Sequence, residues 1–423
     1  MKTISKLALA LVGVAGVALA AETAQAQLVL NGAGSSAGRL FAGDSPAKLC
    51  KATPKPLLFV SSEGTPNMYE WQCTVGTTAN SRIRYSATAS ADGYLFQPNG
   101  AIGTATYLNV ATCPVGTDTT IEGVIVSKSV CASTTPTQTL TVHWGGADVK
   151  ASSIHQTGWD GTVIKKIATP ASGHLTTTPV VIVPFSIVVG GNVRNGLGTN
   201  LTSLTEDEIR QIFAGNVVNW TDLGYSVAGG GSQAIVTCQR TIGSGTLATL
   251  DETMMRTGFW SGGINSQTTA ANPNNQWNAK SSNEITCINT QGNSIGYLDS
   301  DSVTAGNFPN GAYQVQIGGQ PINSGALGTG VARLTALRCG RYPYWADWNV
   351  VTRTAGVEVA PVLAVAGTDQ AISDLTTLMT NNNPLPDYWL SENDTFVVKN
   401  DDRGPHNWFS PSNSGTDITT VCK

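Results

Sequence analysis

Residues 180–189 are Val-Val-Ile-Val-Pro-Phe-Ser-Ile-Val-Val, a nearly continuous run of β-branched and apolar side chains. A run of this kind is typical of a strand that is buried on both faces of its sheet. Pro184 lacks a backbone donor, so it predicts a bend or an interruption within that strand. A buried central strand of this type favours an α/β architecture over an all-helical one.

The segment after this run carries the strongest helix signal in the chain. Thr205 and Glu208 have the spacing of a capping box, and a glycine at position 215 predicts the helix end. Three apolar residues recur at helical spacing between them: Ile209, Ile212 and Phe213. A strand over 234–237 and a helix over about 247–255 follow, and this alternation predicts an α/β layer.

Residues 51–140 have a different character, because they are rich in Thr, Ser and Gly and contain short alternating runs. This pattern predicts short strands and loops. The chain has an even number of cysteines, eight, none within four residues of another, so zinc knuckles and redox C-x-x-C motifs have no support. Disulfides between sequential neighbours are the preferred arrangement among many: Cys50–Cys73, Cys113–Cys131, Cys238–Cys287 and Cys339–Cys422.

The first 26 residues predict an export signal. Lys2 and Lys6 precede an apolar stretch, and Ala24-Gln25-Ala26 supplies a cleavage pattern. We therefore expect a periplasmic or secreted protein, and disulfides suit that compartment. The net charge of −4 and the low charged fraction of 12% do not indicate the basic surface that nucleic-acid binding needs. No later segment has the apolar length needed for membrane insertion.

The clearest candidate for chemistry is Arg240-Thr-Ile-Gly-Ser-Gly-Thr246, between a predicted strand and a predicted helix. Its glycines permit a tight turn and close approach to a ligand, and helix-start N–H groups with hydroxyl side chains can converge on an anion. An ordinary capped turn is the alternative. Residues 31–37, Asn-Gly-Ala-Gly-Ser-Ser-Ala, form a second such loop, and Asp148 follows a predicted strand that ends with His143–Ala147.

Other chemistries find little support. Residues 32–37 match a dinucleotide fingerprint, but no acidic residue follows at the required distance. Two G-x-S-x-G strings, around Ser36 and Ser294, lack His and Asp partners in the order that a hydrolase needs. The four histidines have no metal-ligand spacing, and no cofactor is expected: His143, His155, His174 and His406.

Together these segments resemble the PstS family of phosphate-binding proteins of ABC-type uptake and their secreted DING relatives. Residues 32–36 look like the family's G-A-G-A-T loop, and residues 143–148 resemble its strand ending in G-A-S-D. Residues 204–220 are similar to its L-T-x-x-x-I-x-x-I-F-x-G signature, residues 240–246 to its R-x-D-G-S-G-T loop, and residues 294–297 to its A-I-G-Y strand. The sequence departs at Ile242, where the family usually has an acid beside the arginine.

The resemblance implies a two-lobe periplasmic-binding-protein-like α/β fold of type II, with crossover strands as the hinge and a disulfide-pinned β-rich insert at about 51–140. The expected boundaries are 1–26 for the signal, 27–183 and 321–423 for lobe I, and 184–320 for lobe II. It also implies phosphate-binding residues in the cleft: Ser36, Ala37, Ser90, Asp148, Arg240, Ser244, Gly245 and Thr246.

Three functions are compatible with the sequence. The first is a non-enzymatic solute-binding protein that carries inorganic phosphate or a similar oxyanion to an ABC transporter permease. The second is an extracellular or surface-associated protein on the same scaffold, which assembles through its Cys-rich insert. The third is a secreted phosphatase, although no activated nucleophile or acid/base histidine is apparent.

Overall fold

The computed structural model describes residues 28–62, 67–94, 103–157, 163–166, 175–256, 274–322, 334–353, 376–377, 389–391, 395–399, 401–402, 406–408 and 422. The predicted export signal lies outside these residues. The strands of the first part of the chain are β1 Val29–Gly34, β2 Leu57–Ser61, β3 Met68–Val75, β4 Thr78–Ala87, β5 Thr104–Leu108, β6 Thr117–Ile121, β7 Val124–Cys131, β8 Thr137–Thr141, β9 Trp144–Ala147, β10 His155–Thr157 and β11 Val163–Lys166.

The later strands are β12 Leu175–Val189, β13 Val193–Arg194, β14 Ser203–Leu204, β15 Ser226–Val227, β16 Val236–Arg240, β17 Asn275–Asn278, β18 Ser294–Asp299, β19 Tyr313–Ile317, β20 Trp345–Arg353, β21 Leu390–Ser391, β22 Val397–Lys399 and β23 His406–Trp408. The helices are α1 Arg39–Asp44, α2 Glu206–Phe213, α3 Gly245–Leu250, α4 Ser281–Thr290 and α5 Thr335–Arg338.

One continuous sheet runs through β12. We use lobe I for the part of the sheet on the β20 side of β12 with the segments attached to it, and lobe II for the part on the β18 side. The sheet runs in the order β17-β16-β18-β12-β20-β9-β1-β4-β3-β2-β7-β6. The first part of β12 pairs with β20 as far as Pro184, and its last part pairs with β18 from Phe185 onward. The change of partner lies between Pro184 and Phe185, while the predicted lobe boundaries stay a prediction.

The central strand is buried from Val180 to Val189, as its composition predicts. It continues through Pro184 without interruption, and its register irregularity lies earlier, between Pro179 and Val181. Pro184 is the last residue that pairs with β20 before the partner changes. A residue without an N–H group is tolerated there because the strand changes its hydrogen-bonding partner from β20 to β18 at this point.

The helix α2 has the predicted boundaries and caps. Thr205 accepts from the Glu208 N–H while the Glu208 side chain accepts from the Thr205 N–H, so the capping box is confirmed. The strand predicted over 234–237 is instead Val236–Arg240, with Ala234 in an isolated bridge to Asn219. The helix predicted over 247–255 begins earlier, as α3, and ends in one π-helical turn.

Residues 51–140 form strands β2 to β8, as predicted. Strands β2, β3, β6 and β7 extend the lobe I sheet at one end, and β5 pairs with β8 in a separate ribbon. All four predicted disulfides are present, and Cys50–Cys73 and Cys113–Cys131 lie within or beside this region. These two covalent links reduce the conformational entropy of the unfolded state of this segment.

Candidate functional site

The loops that carry the predicted binding residues lie at the carboxyl ends of parallel strands. In lobe I, β1 runs parallel to both β4 and β9, so their carboxyl ends meet at one edge of the sheet. Ser36 follows β1, Ser90 follows β4, and Asp148 directly follows β9. Three segments that are distant in sequence therefore place hydroxyl and carboxylate side chains in one region, which is where open α/β sheets bind ligands.

Asp148 is the centre of this lobe I group. Its carboxylate accepts from Ser35 Oγ at one oxygen and from Ser90 Oγ, 3.1 Å away, at the other. The Asp148 N–H donates to the same Ser90 Oγ at 3.2 Å. Burial raises the pKa of Asp148 to about 6, while the two serine hydrogen bonds act to lower it. The side chain is 1% exposed, so the carboxylate carries a proton more readily than an ordinary aspartate.

Lobe II presents its parallel strands in the same way. Strand β16 runs parallel to β17 and β18, and Arg240 is its last residue. The Arg240 guanidinium is fully buried. It donates to the Asn278 and Ala279 carbonyl oxygens at 3.3 Å each and to Ser281 Oγ at 2.9 Å. These acceptors fix the guanidinium plane at the carboxyl edge of the lobe II sheet.

The two lobes meet at these side chains. Both terminal nitrogens of Arg240 lie 3.5 Å from Ser36 Oγ. The Ala91 N–H of lobe I donates to the Gly243 carbonyl oxygen of lobe II at 2.9 Å. A Cβ atom added at Gly245 would lie 2.1 Å from Ser90 Oγ and 2.4 Å from an Asp148 oxygen. The lobes are therefore closed on each other here, and only glycine fits at position 245.

The remaining predicted residues lie in the same place. Ser244 caps α3, since its Oγ accepts from the Leu247 N–H at 3.5 Å. Thr246 is buried, and within the described part of the chain its hydroxyl has no hydrogen-bond partner. The Ala37 N–H donates to Ser35 Oγ at 3.1 Å. The structure thus brings the predicted residues of both lobes together, and their role in binding stays a prediction.

Sequence reasoning missed the carboxylate that accompanies Arg240. Glu284 of α4 lies 3.8 Å from Arg240 Nε, with both side chains buried. Its other oxygen accepts from the Tyr297 N–H at 3.2 Å. Burial raises the pKa of Glu284 well above its ordinary range, and the Arg240 charge opposes that rise. Ile242 stands where an acid was expected, and Glu284 supplies a carboxylate from a different element.

A second buried ion pair lies next to Ser36. Arg39 donates to an Asp299 oxygen at 3.2 Å and to Ser302 Oγ at 2.6 Å, and it also donates to the Ser36 carbonyl oxygen at 2.5 Å. Burial acts to raise the pKa of Asp299, but the Arg39 charge brings it below its usual value. Arg39 belongs to lobe I and Asp299 ends β18 of lobe II, so this pair also connects the lobes.

Other kinds of site find no support among the residues that the structure describes. No group of three or more His, Cys, Asp or Glu side chains there is placed to hold a metal ion. His143 has a structural contact, since its Nδ1 accepts from the Asn31 N–H at 3.1 Å. His174 lies outside the described residues. In the same described part, no helix is both long and apolar enough to cross a membrane.

A family model described as a PBP superfamily domain matches residues 141–408, more than half of the chain. The chain belongs to the PBP superfamily. This membership confirms the expected family at the level of the superfamily, and the mixed α/β fold with its large sheet confirms the expected fold class. No match was found among curated proteins.

Several solved structures are similar to this PBP superfamily chain. One is a Clostridium perfringens protein, named as a phosphate ABC transporter substrate-binding protein and solved with bound phosphate, at 12% identity and a TM-score of 0.46, covering 83% of this chain and 98% of that one. Another is a phosphate-binding protein from Stenotrophomonas maltophilia, at 17% identity and a TM-score of 0.41, covering 77% and 79%. A third is PstS from Borrelia burgdorferi, at 11% identity and a TM-score of 0.37, covering 84% and 92%.

Proposed function

We propose that the chain is an exported solute-binding protein that binds phosphate, or a similar tetrahedral oxyanion, between its two lobes and delivers it to an ABC-type permease. The observation that carries this proposal is the meeting of Arg240 from lobe II with Ser36 from lobe I, 3.5 Å apart. Superfamily membership supports the same proposal. Phosphate itself, the permease and the periplasmic or secreted location are parts of the proposal.

The donors for an anion come from local groups, because the net charge of −4 gives no long-range attraction. Arg240 supplies a planar, permanently charged donor pair suited to an oxyanion. Hydroxyl groups at Ser36 and Ser244 add neutral donors, and the N–H groups of Gly245 and Thr246 add backbone donors. The Ser90 hydroxyl and the Ala37 N–H already donate to Asp148 and to Ser35 Oγ. Each hydrogen bond to a charged partner contributes about 1.5–3 kcal/mol.

Asp148 gives the site a means of discrimination. An ionised carboxylate accepts the proton of hydrogen phosphate, whereas sulfate carries no proton near neutral pH and is repelled. The carboxylate is held by Ser35 and Ser90, so it does not turn away from the ligand. The proposed mechanism is therefore binding and closure without turnover.

Titration calorimetry of the purified protein with phosphate, arsenate and sulfate tests this proposal. We expect phosphate and arsenate to bind at one site and sulfate to bind more weakly. Arg240→Ala should lose more than tenfold in phosphate affinity, since it removes charged hydrogen bonds from a buried site. Arg82→Ala is the matched control, because the Arg82 side chain is 36% exposed and pairs with Glu70 instead. The proposal is wrong if phosphate does not bind, or if both variants bind like the wild type.

A further inference from the structure

We propose that Ser281, the first residue of α4, is an additional ligand of the oxyanion. This proposal deepens the proposed function and rests on it. Ser281 is 3% exposed and lies outside every motif that the sequence analysis identified. It occupies the same edge of the lobe II sheet as Arg240, and it faces the same lobe I loop.

The contacts of Ser281 join the two groups that define the site. Its Oγ lies 2.9 Å from Ser36 Oγ of lobe I and accepts from an Arg240 terminal nitrogen, also at 2.9 Å. The hydroxyl is thus within hydrogen-bonding distance of one proposed ligand from each lobe. An oxyanion that bridges Ser36 and Arg240 comes within reach of Ser281, because all three groups are in mutual contact.

The topology explains why Ser281 is in this position. Strand β17 runs parallel to β16, and the chain leaves its carboxyl end at Asn278. The Asn278 side chain donates to the Gln239 carbonyl oxygen at 3.2 Å, which holds the two strand ends together. The Asn278 and Ala279 carbonyl oxygens then accept from the Arg240 guanidinium. Ser281 lies two residues after Ala279, so its placement depends on the same arginine.

The hydroxyl proton of Ser281 has two acceptors that a charged ligand can displace. One is Ser36 Oγ at 2.9 Å, in a pair where either hydroxyl can donate, and the other is an Asp299 oxygen at 3.5 Å, the outer limit for a hydrogen bond. Asp299 already accepts from Arg39 at 3.2 Å and from Ser302 Oγ at 2.5 Å, so it does not depend on Ser281. An oxyanion oxygen at normal distance is a better acceptor for this proton. Ser281 would then accept from Arg240 and donate to the ligand, which fixes the orientation of the guanidinium and of the ligand.

The test compares Ser281→Ala with Ser282→Ala by titration calorimetry with inorganic phosphate. Ser282 is the next residue of the same helix and is half-buried, so it is a matched control for the loss of one hydroxyl group in the first turn. We expect Ser281→Ala to bind phosphate about tenfold or more weakly, since it removes a hydrogen bond to a charged ligand. Ser282→Ala should keep wild-type affinity.

Thermal unfolding with and without phosphate gives a second readout that a purely structural role would not move. A bound ligand raises the unfolding temperature according to its affinity. The phosphate-induced rise, taken from each variant's own ligand-free value, should be smaller for Ser281→Ala than for Ser282→Ala. Equal affinities and equal rises overturn the role of Ser281 while the proposed function stands. A wild-type protein that does not bind phosphate overturns both.

Discussion

The substitution Asp148→Asn separates the charge of this side chain from its shape. The native carboxylate is fully buried and accepts from Ser35 Oγ and Ser90 Oγ. Asparagine has nearly the same volume and keeps one acceptor oxygen, so the loops around it should retain their positions. What changes is the ability to carry a negative charge inside the closed site.

The magnitude follows from the pKa of Asp148, which burial raises from 3.8 to about 6. Between about pH 4 and pH 6 the folded state holds a proton that the unfolded state has lost. The free energy of unfolding of the wild type therefore falls as the pH rises through this window. A shift of about two units corresponds to about 3 kcal/mol. The variant has no carboxyl group at this position, so its free energy of unfolding does not fall in this way. Above pH 6 the ligand-free variant should therefore be more stable than the wild type by up to that amount.

The selectivity of the variant for phosphate over sulfate should fall, although its stability rises. At pH 8 the wild-type carboxylate is ionised, accepts the phosphate proton and repels sulfate. The variant has no charge there, so its preference for phosphate over sulfate should fall about tenfold or more. At pH 5 most wild-type Asp148 is protonated, and its selectivity should approach that of the variant.

Urea unfolding of ligand-free protein at pH 4.5 and pH 7.5, with competition calorimetry at pH 5 and pH 8, measures both effects. Asp118→Asn is the matched control, because the Asp118 side chain is 60% exposed and pairs with Lys55 at the surface. A variant that matches the wild type in stability at both pH values, and in selectivity at pH 8, would refute the role assigned to Asp148.

Two further variants test the packing of the site and the stability of the fold around it. Gly245→Ala should weaken phosphate binding by about tenfold, because its Cβ would lie 2.1 Å from the nearest lobe I side-chain atom and keep the lobes apart; Gly196→Ala, whose nearest neighbour is 3.5 Å away, should bind normally in calorimetry. Replacing both Cys238 and Cys287 by serine should lower the free energy of unfolding by about 4 kcal/mol in urea titrations, since their link spans 49 residues and ties β16 to α4. An unchanged urea midpoint would contradict that stabilising role.

Much of the site was predictable because its main residues follow strands whose patterns are local. Ser36 lies two residues after β1, Asp148 directly follows β9, and Arg240 ends β16. Parallel strands place their carboxyl ends together. The capping box of α2 is equally local, since both partners lie within four residues. Each disulfide joins two cysteines that are consecutive along the chain, so the prediction of sequential pairing is confirmed.

The missed residues depend on contacts that no local pattern encodes. Strand β17 has the sequence Asn-Gln-Trp-Asn, which lacks the apolar alternation of a strand, so Ser281 and Glu284 had no recognisable element before them. By sequence alone, an arginine such as Arg39 is typical of a solvated surface, whereas the structure buries it in a short helix. Its partner Asp299 lies 260 residues away, and only the closed arrangement of the lobes brings the two together.

The central claim is that loops from both lobes surround one tetrahedral oxyanion. Anomalous scattering from a crystal grown with arsenate locates arsenic without any assumption about the site. We predict a single strong peak within hydrogen-bonding distance of Ser36 Oγ and the Arg240 guanidinium, close to Asp148. Arsenic found only on the surface, or no peak at a concentration that saturates binding in calorimetry, would contradict the claim.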